Sequence, residues 1–410
     1  MRRVISLYTG AGGMDYGFEA AGFETAVALE FDHDCCETLR RNRSWPVIER
    51  SIFEVPTPEL LATAGLKPGE ADLLIGGPPC QPFSKAGYWA RGDSARLDDP
   101  RADTLAAYLR VVEEALPKAF VLENVEGLAF SGKDEGLKLL LDRIALINKK
   151  AKTSYRPTWK VLNAAEYGVP QVRERFFLVA ARHGAVLQFP TPMFAQPATE
   201  PMLLNVPQPP PFRTAWDALG DLPENRSEGL EARGKWADLL PSIPEGQNYL
   251  WHTDRGGGLP LFGWRRRYWT FLLKLAKDRP SWTIQAQPGP AVGPFHWKNR
   301  RLSMRELCRL QTFPDDVTIV GTLGSIQKQL GNAVPSLLAE VLGVEIRRQL
   351  HKDRIARSPL KLLPPYRGVV PKPERVQQVP PEYRTLIGRH SAHPGTGKGF
   401  RARAGYQPSA

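Results

Sequence analysis

VISLYTGAGG, Val4 to Gly13, is an apolar run of strand length that stops in a glycine-rich turn. Val, Ile, Leu and Tyr in so short a run read as a buried strand. Gly10, Gly12 and Gly13 then let the backbone turn tightly and approach a ligand closely. Thr25–Leu29, Asp72–Ile75, Ala119–Leu122 and Phe176–Ala180 are further strands by length and composition. Between them Leu105, Leu109, Val112 and Leu116 recur at helical spacing, as do Leu137, Leu140, Leu141, Ile144 and Ile147. Strands alternating with helices predict an α/β layered sheet.

Bulk properties narrow the function classes. The chain has 410 residues, room for two domains, with 42% hydrophobic and 24% charged residues and no apolar run of membrane-spanning length. MRRVISLYTGAGG is too short in its apolar part for a secretory signal, so a cytoplasmic location is expected. Four cysteines, two adjacent at Cys35 and Cys36 and none at CxxC spacing, exclude a disulfide framework and a zinc site of that kind, and no metal is expected. The net charge of +12 suits a polyanionic partner, but residues 351–410 carry +9 of it.

Eight prolines between Pro190 and Pro211 end the regular alternation and mark a boundary. From Phe212 to about Ile326 the chain reads as a loop-rich second domain; Leu337, Leu338, Val341, Leu342 and Glu345–Leu350 form a closing helix. The expected organisation is a catalytic and cofactor-binding domain over 1–189, a second domain over 190–325, a return segment over 326–350 and a basic, Pro-rich tail over 351–410 with too little apolar content to be held in place.

In an open α/β sheet ligands bind beyond the carboxyl ends of the strands. Here those ends carry TGAGG (Thr9–Gly13), Glu30, GGPPC (Gly76–Cys80), and Glu123 with Asn124. A dinucleotide fingerprint would place glycine where Asp15 stands. On residues alone the glycine loop is also compatible with a tight turn without a ligand, and Glu30 with a solvated carboxylate. Cys80 is more particular, because Pro78, Pro79 and Pro82 fix the backbone around it, which a cysteine that merely fills a core does not need. A thiol with a pKa near 8.5 is only about 3% thiolate at pH 7, so a cationic neighbour is needed, for which Arg173 and Arg175 are candidates or else a surface arginine pair. Glu123 ends the apolar run AFVLENV, where burial would raise its pKa and let it donate a proton; a carboxylate satisfied by local amides is the competing reading.

LYTGAGGMDYGFEAAGF (Leu7–Phe23), GGPPCQPFS (Gly76–Ser84), ENVEG (Glu123–Gly127), QVRERFFLVA (Gln171–Ala180), RLSMRELCRLQTFPD (Arg301–Asp315) and QLGNAVP (Gln329–Pro335), in this order, resemble the DNA (cytosine-5) methyltransferase family. The resemblance covers about 230 residues in two blocks. It implies a doubly wound mixed sheet, Rossmann-like, with a smaller target recognition domain, and S-adenosylmethionine as methyl donor to C5 of a cytosine flipped from duplex DNA. By position it makes Cys80 the nucleophile toward C6, Glu123 the residue that holds or protonates N3, and Arg175, with Arg173, the stabiliser of the base and its developing charge. The cofactor would meet Leu7, Tyr8, Gly10, Gly12 and Gly13, with Glu30 on the ribose and Phe31 against the adenine. Ser51, Ile52, Gly76, Pro78, Asn332 and Ala333 complete the implied cofactor set. Ser51 is a departure, standing where the family commonly has Asp.

Gln81 and Ser84 would contact DNA. Target reading would fall to Pro190–Lys298, whose FGWRRRYWTF interleaves Arg265, Arg266 and Arg267 with aromatic residues suited to phosphates and bases. The resemblance further implies a monomer acting beside a restriction endonuclease or related defence component. The alternatives are a tRNA cytosine-5 methyltransferase, a catalytically silent DNA-binding regulator, and a nicotinamide-dependent dehydrogenase.

Overall fold

The apolar runs become strands because each alternates between two packed faces. In β1 (Arg3–Leu7), β2 (Glu24–Glu30), β3 (Val47–Glu49), β4 (Leu73–Gly76), β5 (Ala119–Val125), β6 (Thr158–Asn163) and β7 (Glu174–Ala181) the hydrogen-bonded order is β3-β2-β1-β4-β5-β7-β6. All pairs are parallel except those of β7, which runs antiparallel between β5 and β6. The computed structural model describes residues 2–79, 103–129, 135–196, 209–223, 229–264, 269–351 and 359–388.

Ile5, Leu74, Phe120 and Phe176 point into one core, and their chain neighbours Val4, Leu73, Val121 and Phe177 into the other. That period of two puts nearly continuous hydrophobic sequence on strands buried on both sides. The first core is covered by α3 (Thr57–Ala64), α4 (Asp103–Ala115) and α5 (Glu135–Ala151), and the second by α1 (Gly13–Ala20) and α9 (Ser336–His351). Helix α2 (His33–Asn42) follows β2 and starts on Asp32, whose Oδ1 accepts from the Cys35 amide at 3.3 Å. Asp15, where a dinucleotide fingerprint has glycine, is buried. It accepts from the Ser6 and Thr25 hydroxyls, both at 3.1 Å, and so ties α1 to β1 and β2.

The predicted strands and helices are present. Two strands were not foreseen: β3 has three half-buried residues, and β6 is an edge strand with Trp159 and Val161 exposed, so neither shows a buried run. Residues 209–320 are loop-rich, with short helices α6 (Ala215–Leu219) and α7 (Met304–Leu310). Ser303 and Glu306 form a capping box at the start of α7. A separate aromatic core holds Trp236, Tyr249, Phe262, Phe271 and Phe295. Helix α8 (Leu323–Asn332) leads back into α9.

The expectation of an untethered tail is corrected for residues 359–388. Leu360, Leu362 and Leu363 pack on the second face of the sheet, whereas Val379 and Tyr383, which begins in α10 (Pro381–Arg384), are buried in the aromatic core. Composition missed this because few apolar residues are spread over a long stretch, each with its own socket. Among the described residues no helix is long and apolar enough to cross a membrane.

Candidate active site

At the carboxyl edge of the sheet a cleft of about 480 Å³ runs from the ends of β1 and β2 to the ends of β4 and β5. It straddles the β1–β4 junction, where the strand order reverses and a crevice opens. On the β1–β2 side the turn after β1 passes through Gly10, in the left-handed region at φ +57°, and an added Cβ there would point into open space. Glu30 closes this side. Its Oε2 accepts from the Gly10 amide at 2.8 Å, and its Oε1 from the amides of Phe31 and Asp32 at 2.8 and 2.9 Å. Phe31 leaves its ring 67% exposed at the rim. Helix α8 forms the opposite wall with Lys328, Gln329 and Asn332, and Lys328 Nζ reaches Asp32 Oδ2 at 2.6 Å across the cleft.

The β4–β5 side is built differently. Gly76 pairs with Leu122, so Gly77 lies against Glu123, where an added Cβ would stand 2.7 Å from Oε2. Any side chain at position 77 would push that carboxylate aside. Pro78 accepts from Asn124 Nδ2 at 3.1 Å and Pro79 from Thr104 Oγ1 at 3.0 Å, so the chain leading to position 80 is pinned from two elements. Register places Arg175 opposite Val125, and its Nε lies 3.0 Å from Glu123 Oε1. Burial pushes the Glu123 carboxyl above the ordinary range, outweighing the opposing pull of Arg175 and Arg173. This acid can keep a proton that a solvated glutamate would lose, and a cation stands beside it.

Of the residues implied by resemblance, Tyr8, Gly10, Gly13, Glu30, Phe31, Pro78, Glu123, Arg175, Asn332 and Ala333 line the cleft. Leu7, Gly12, Ser51, Ile52 and Gly76 do not; they stand behind it in the strand ends and the turn after β3. Arg173 is fully buried and does not line the cleft either. It donates to the carbonyls of Ile284 at 3.2 Å and Gly331 at 2.7 Å, tying the entry of β7 to the end of α8. Cys80, Gln81, Ser84, Arg265, Arg266 and Arg267 lie outside the described residues. The remaining cysteines, Cys35, Cys36 and Cys308, are buried with thiols pushed up by desolvation, the latter two to about 12, so none is poised as a nucleophile.

The model of the C-5 cytosine-specific DNA methylases matches residues 2–348. The chain belongs to that family. It is a DNA cytosine-5 methyltransferase, and the dehydrogenase, silent-regulator and tRNA alternatives are not favoured. It is 42% identical over 370 residues to the Type II methyltransferase M.SacI of Streptomyces achromogenes, covering 85% of this chain and 93% of that one. To M.NgoFVII of Neisseria gonorrhoeae it is 33% identical over 337 residues, covering 81% and 83%. The crystal structure of a mutant of Spodoptera frugiperda DNMT2 superposes with a TM-score of 0.57 at 15% identity, over 84% of this chain and 99% of that one, a likeness of fold.

The methylase also lines its cleft with Asp32, Cys35 and Lys328, which the sequence reading missed. Asp32 had a signal, an acidic residue two after Glu30 at a helix start. Lys328 had none, since nothing in its own segment shows that α8 faces β2.

Proposed function

We propose that the two sides of the cleft divide the reaction, the β1–β2 side holding S-adenosylmethionine and the β4–β5 side a cytosine rotated out of duplex DNA. The pairing of Glu123 with Arg175 in the same cleft as the amide-held Glu30 carries this reading. Three amides pin the Glu30 carboxylate, whose remaining lone pairs suit ribose hydroxyls; the open Phe31 ring suits a purine face, and the space at Gly10 admits a ligand against the backbone. When bound, the sulfonium supplies an electrophilic methyl group.

The chain's own residues do the rest. Cys80, next after the pinned Pro79, attacks C6 of the ring and makes C5 nucleophilic. Glu123, whose carboxyl burial shifts toward its protonated form, donates to N3 and draws electron density from the ring. Arg175 holds the base and offsets the developing charge in a site with little water. After transfer the C5 proton leaves to solvent, Cys80 is expelled as thiolate and N3 returns its proton to Glu123, which restores the aromatic ring. Extrusion of the base is required because both ring carbons are covered inside the stack.

Target reading is assigned to the loop-rich region between the two blocks, and the enzyme to the modifying arm of a Type II restriction system in the cytoplasm, as the names of its relatives suggest. Expression in a host without cytosine methylation, followed by bisulfite mapping, tests the reading. One short sequence converted to 5-methylcytosine throughout the genome is the expected result; an unmodified genome with folded enzyme present overturns it.

A further inference from the structure

Residues 359–388 lie beyond residue 348, where the match to the family ends, yet they touch both halves of the molecule. At one end the amides of Lys361 and Leu362 donate to the two oxygens of Glu340 on α9, at 2.7 and 2.9 Å, beside leucines seated on the sheet. In the middle Arg367 donates through its amide and Nε to Asp217 at 2.8 and 3.0 Å and pairs with Asp221 at 2.7 Å. Glu374 then bridges Lys277 at 3.1 Å and Lys298 at 3.0 Å, close to the buried Lys277–Glu245 pair. At the far end Tyr383 stacks on Trp236, with centroids 5.7 Å apart, and donates to the Lys235 carbonyl at 2.7 Å.

We propose that this segment is a strap that fixes the loop-rich region to the catalytic half, making it a positioning element for DNA rather than part of the chemistry. The placement of its anchors carries the inference. They fall in chain order on α9 beneath the sheet, on α6 and on the aromatic core, so the strap spans the two halves instead of stabilising one of them. Each anchor is specific: a carboxylate receiving two consecutive amides, a guanidinium shared between the Asp217 carbonyl and the Asp221 carboxylate, a stacked ring with its hydroxyl satisfied. Independent anchors on two bodies restrict their relative motion, and binding a rigid duplex across both gains from having that motion restricted beforehand. Docked in this way, Glu374 together with Glu245 offsets the charges of Lys277 and Lys298, so the strap contributes alignment without adding positive charge there.

The proposal rests on the loop-rich region reading DNA, and its test separates the two. Full-length Tyr383→Ala and Arg367→Ala are compared with Tyr383→Phe, which keeps the stacked ring. Steady-state kinetics on cognate duplexes and on duplexes with one altered base pair are measured alongside cofactor affinity. The alanine variants are expected to raise the KM for DNA about tenfold with kcat and cofactor affinity retained, and to narrow the ratio between cognate and altered sites, while Tyr383→Phe stays near the parent. Unchanged KM and unchanged discrimination in both alanine variants overturn the strap. So does a parallel loss of kcat and cofactor affinity, which marks general loosening. A double variant, Trp269→Ala with Trp282→Ala, probes target reading by itself, because these exposed, edge-packed indoles lie in the loop-rich region and their rings pack on each other. Weakened DNA binding there with a normal Tyr383→Ala enzyme sinks the strap alone.

Discussion

Glu30 and Glu123 are both buried carboxylates at the carboxyl ends of strands, on opposite sides of the point where the strand order reverses. Glu30 is held by three backbone amides, groups that cannot change rotamer or charge. Glu123 is held by one side chain, Arg175, in surroundings that favour its protonated form. On the proposed division of the cleft, the ligand side is built of rigid main chain, whereas the proton-sharing side keeps a titratable group with an adjustable partner.

The sharpest way to break this comparison is Cys80→Ser. A serine hydroxyl is a far weaker nucleophile toward C6, so methyl transfer is expected to disappear while the β1–β2 side still binds cofactor. Undiminished turnover, or loss of cofactor binding, would show that the two sides are not separate. The adduct expected on duplexes containing 5-fluorocytosine, resistant to denaturant and absent in this variant, locates the bond.

Glu123→Gln is next. It preserves size and hydrogen bonding but cannot deliver a proton, and single-turnover rates should fall by about 100- to 10,000-fold. The parent carries its proton to higher pH than an exposed glutamate, so its rate should decline on the alkaline side as that proton is lost. The glutamine variant should show no such limb, and an identical limb in both proteins would assign it elsewhere.

Glu30→Ala acts on the other side. It should raise the KM for cofactor by about 10- to 100-fold, the loss of charge-assisted hydrogen bonds, with little change in rate at saturation. A fall in rate without a change in KM would reverse the roles of the two carboxylates.

The smallest effect concerns stability beneath the β1–β2 side. Desolvation raises the Asp15 carboxyl to about 7, so the folded state holds a proton that the unfolded chain releases near 4. The associated stability is complete below that lower value and is lost as pH rises through the higher one. Asp15→Asn should flatten the fall in Tm across this interval, and thermal melts from pH 4 to 8 read it out.

Much of the sheet was legible because strands buried on both faces announce themselves as short apolar runs, and because glycine, proline and acid collect at their ends. β6 was hidden because, at the sheet edge, only Leu162 of its residues is buried and no apolar run marks it. Arg173 shows a subtler limit: residues two apart in a strand share a face, but Arg173 stands just before β7 begins and turns to the Ile284 and Gly331 carbonyls, whereas Arg175, inside the strand, meets the cleft. The strap was hidden because its sockets belong to distant segments.

Gly77 sets one last consequence. Because β4 and β5 are locked in register, the missing side chain there fixes how near the carboxylate can come to the turn that continues to position 80. The spacing between the acid and the turn through Gly77 is thus measured by main-chain ladder rungs, a stiff ruler. Engineering this enzyme toward another pyrimidine would have to begin by shifting strands, because repainting the pocket walls leaves that ruler unchanged.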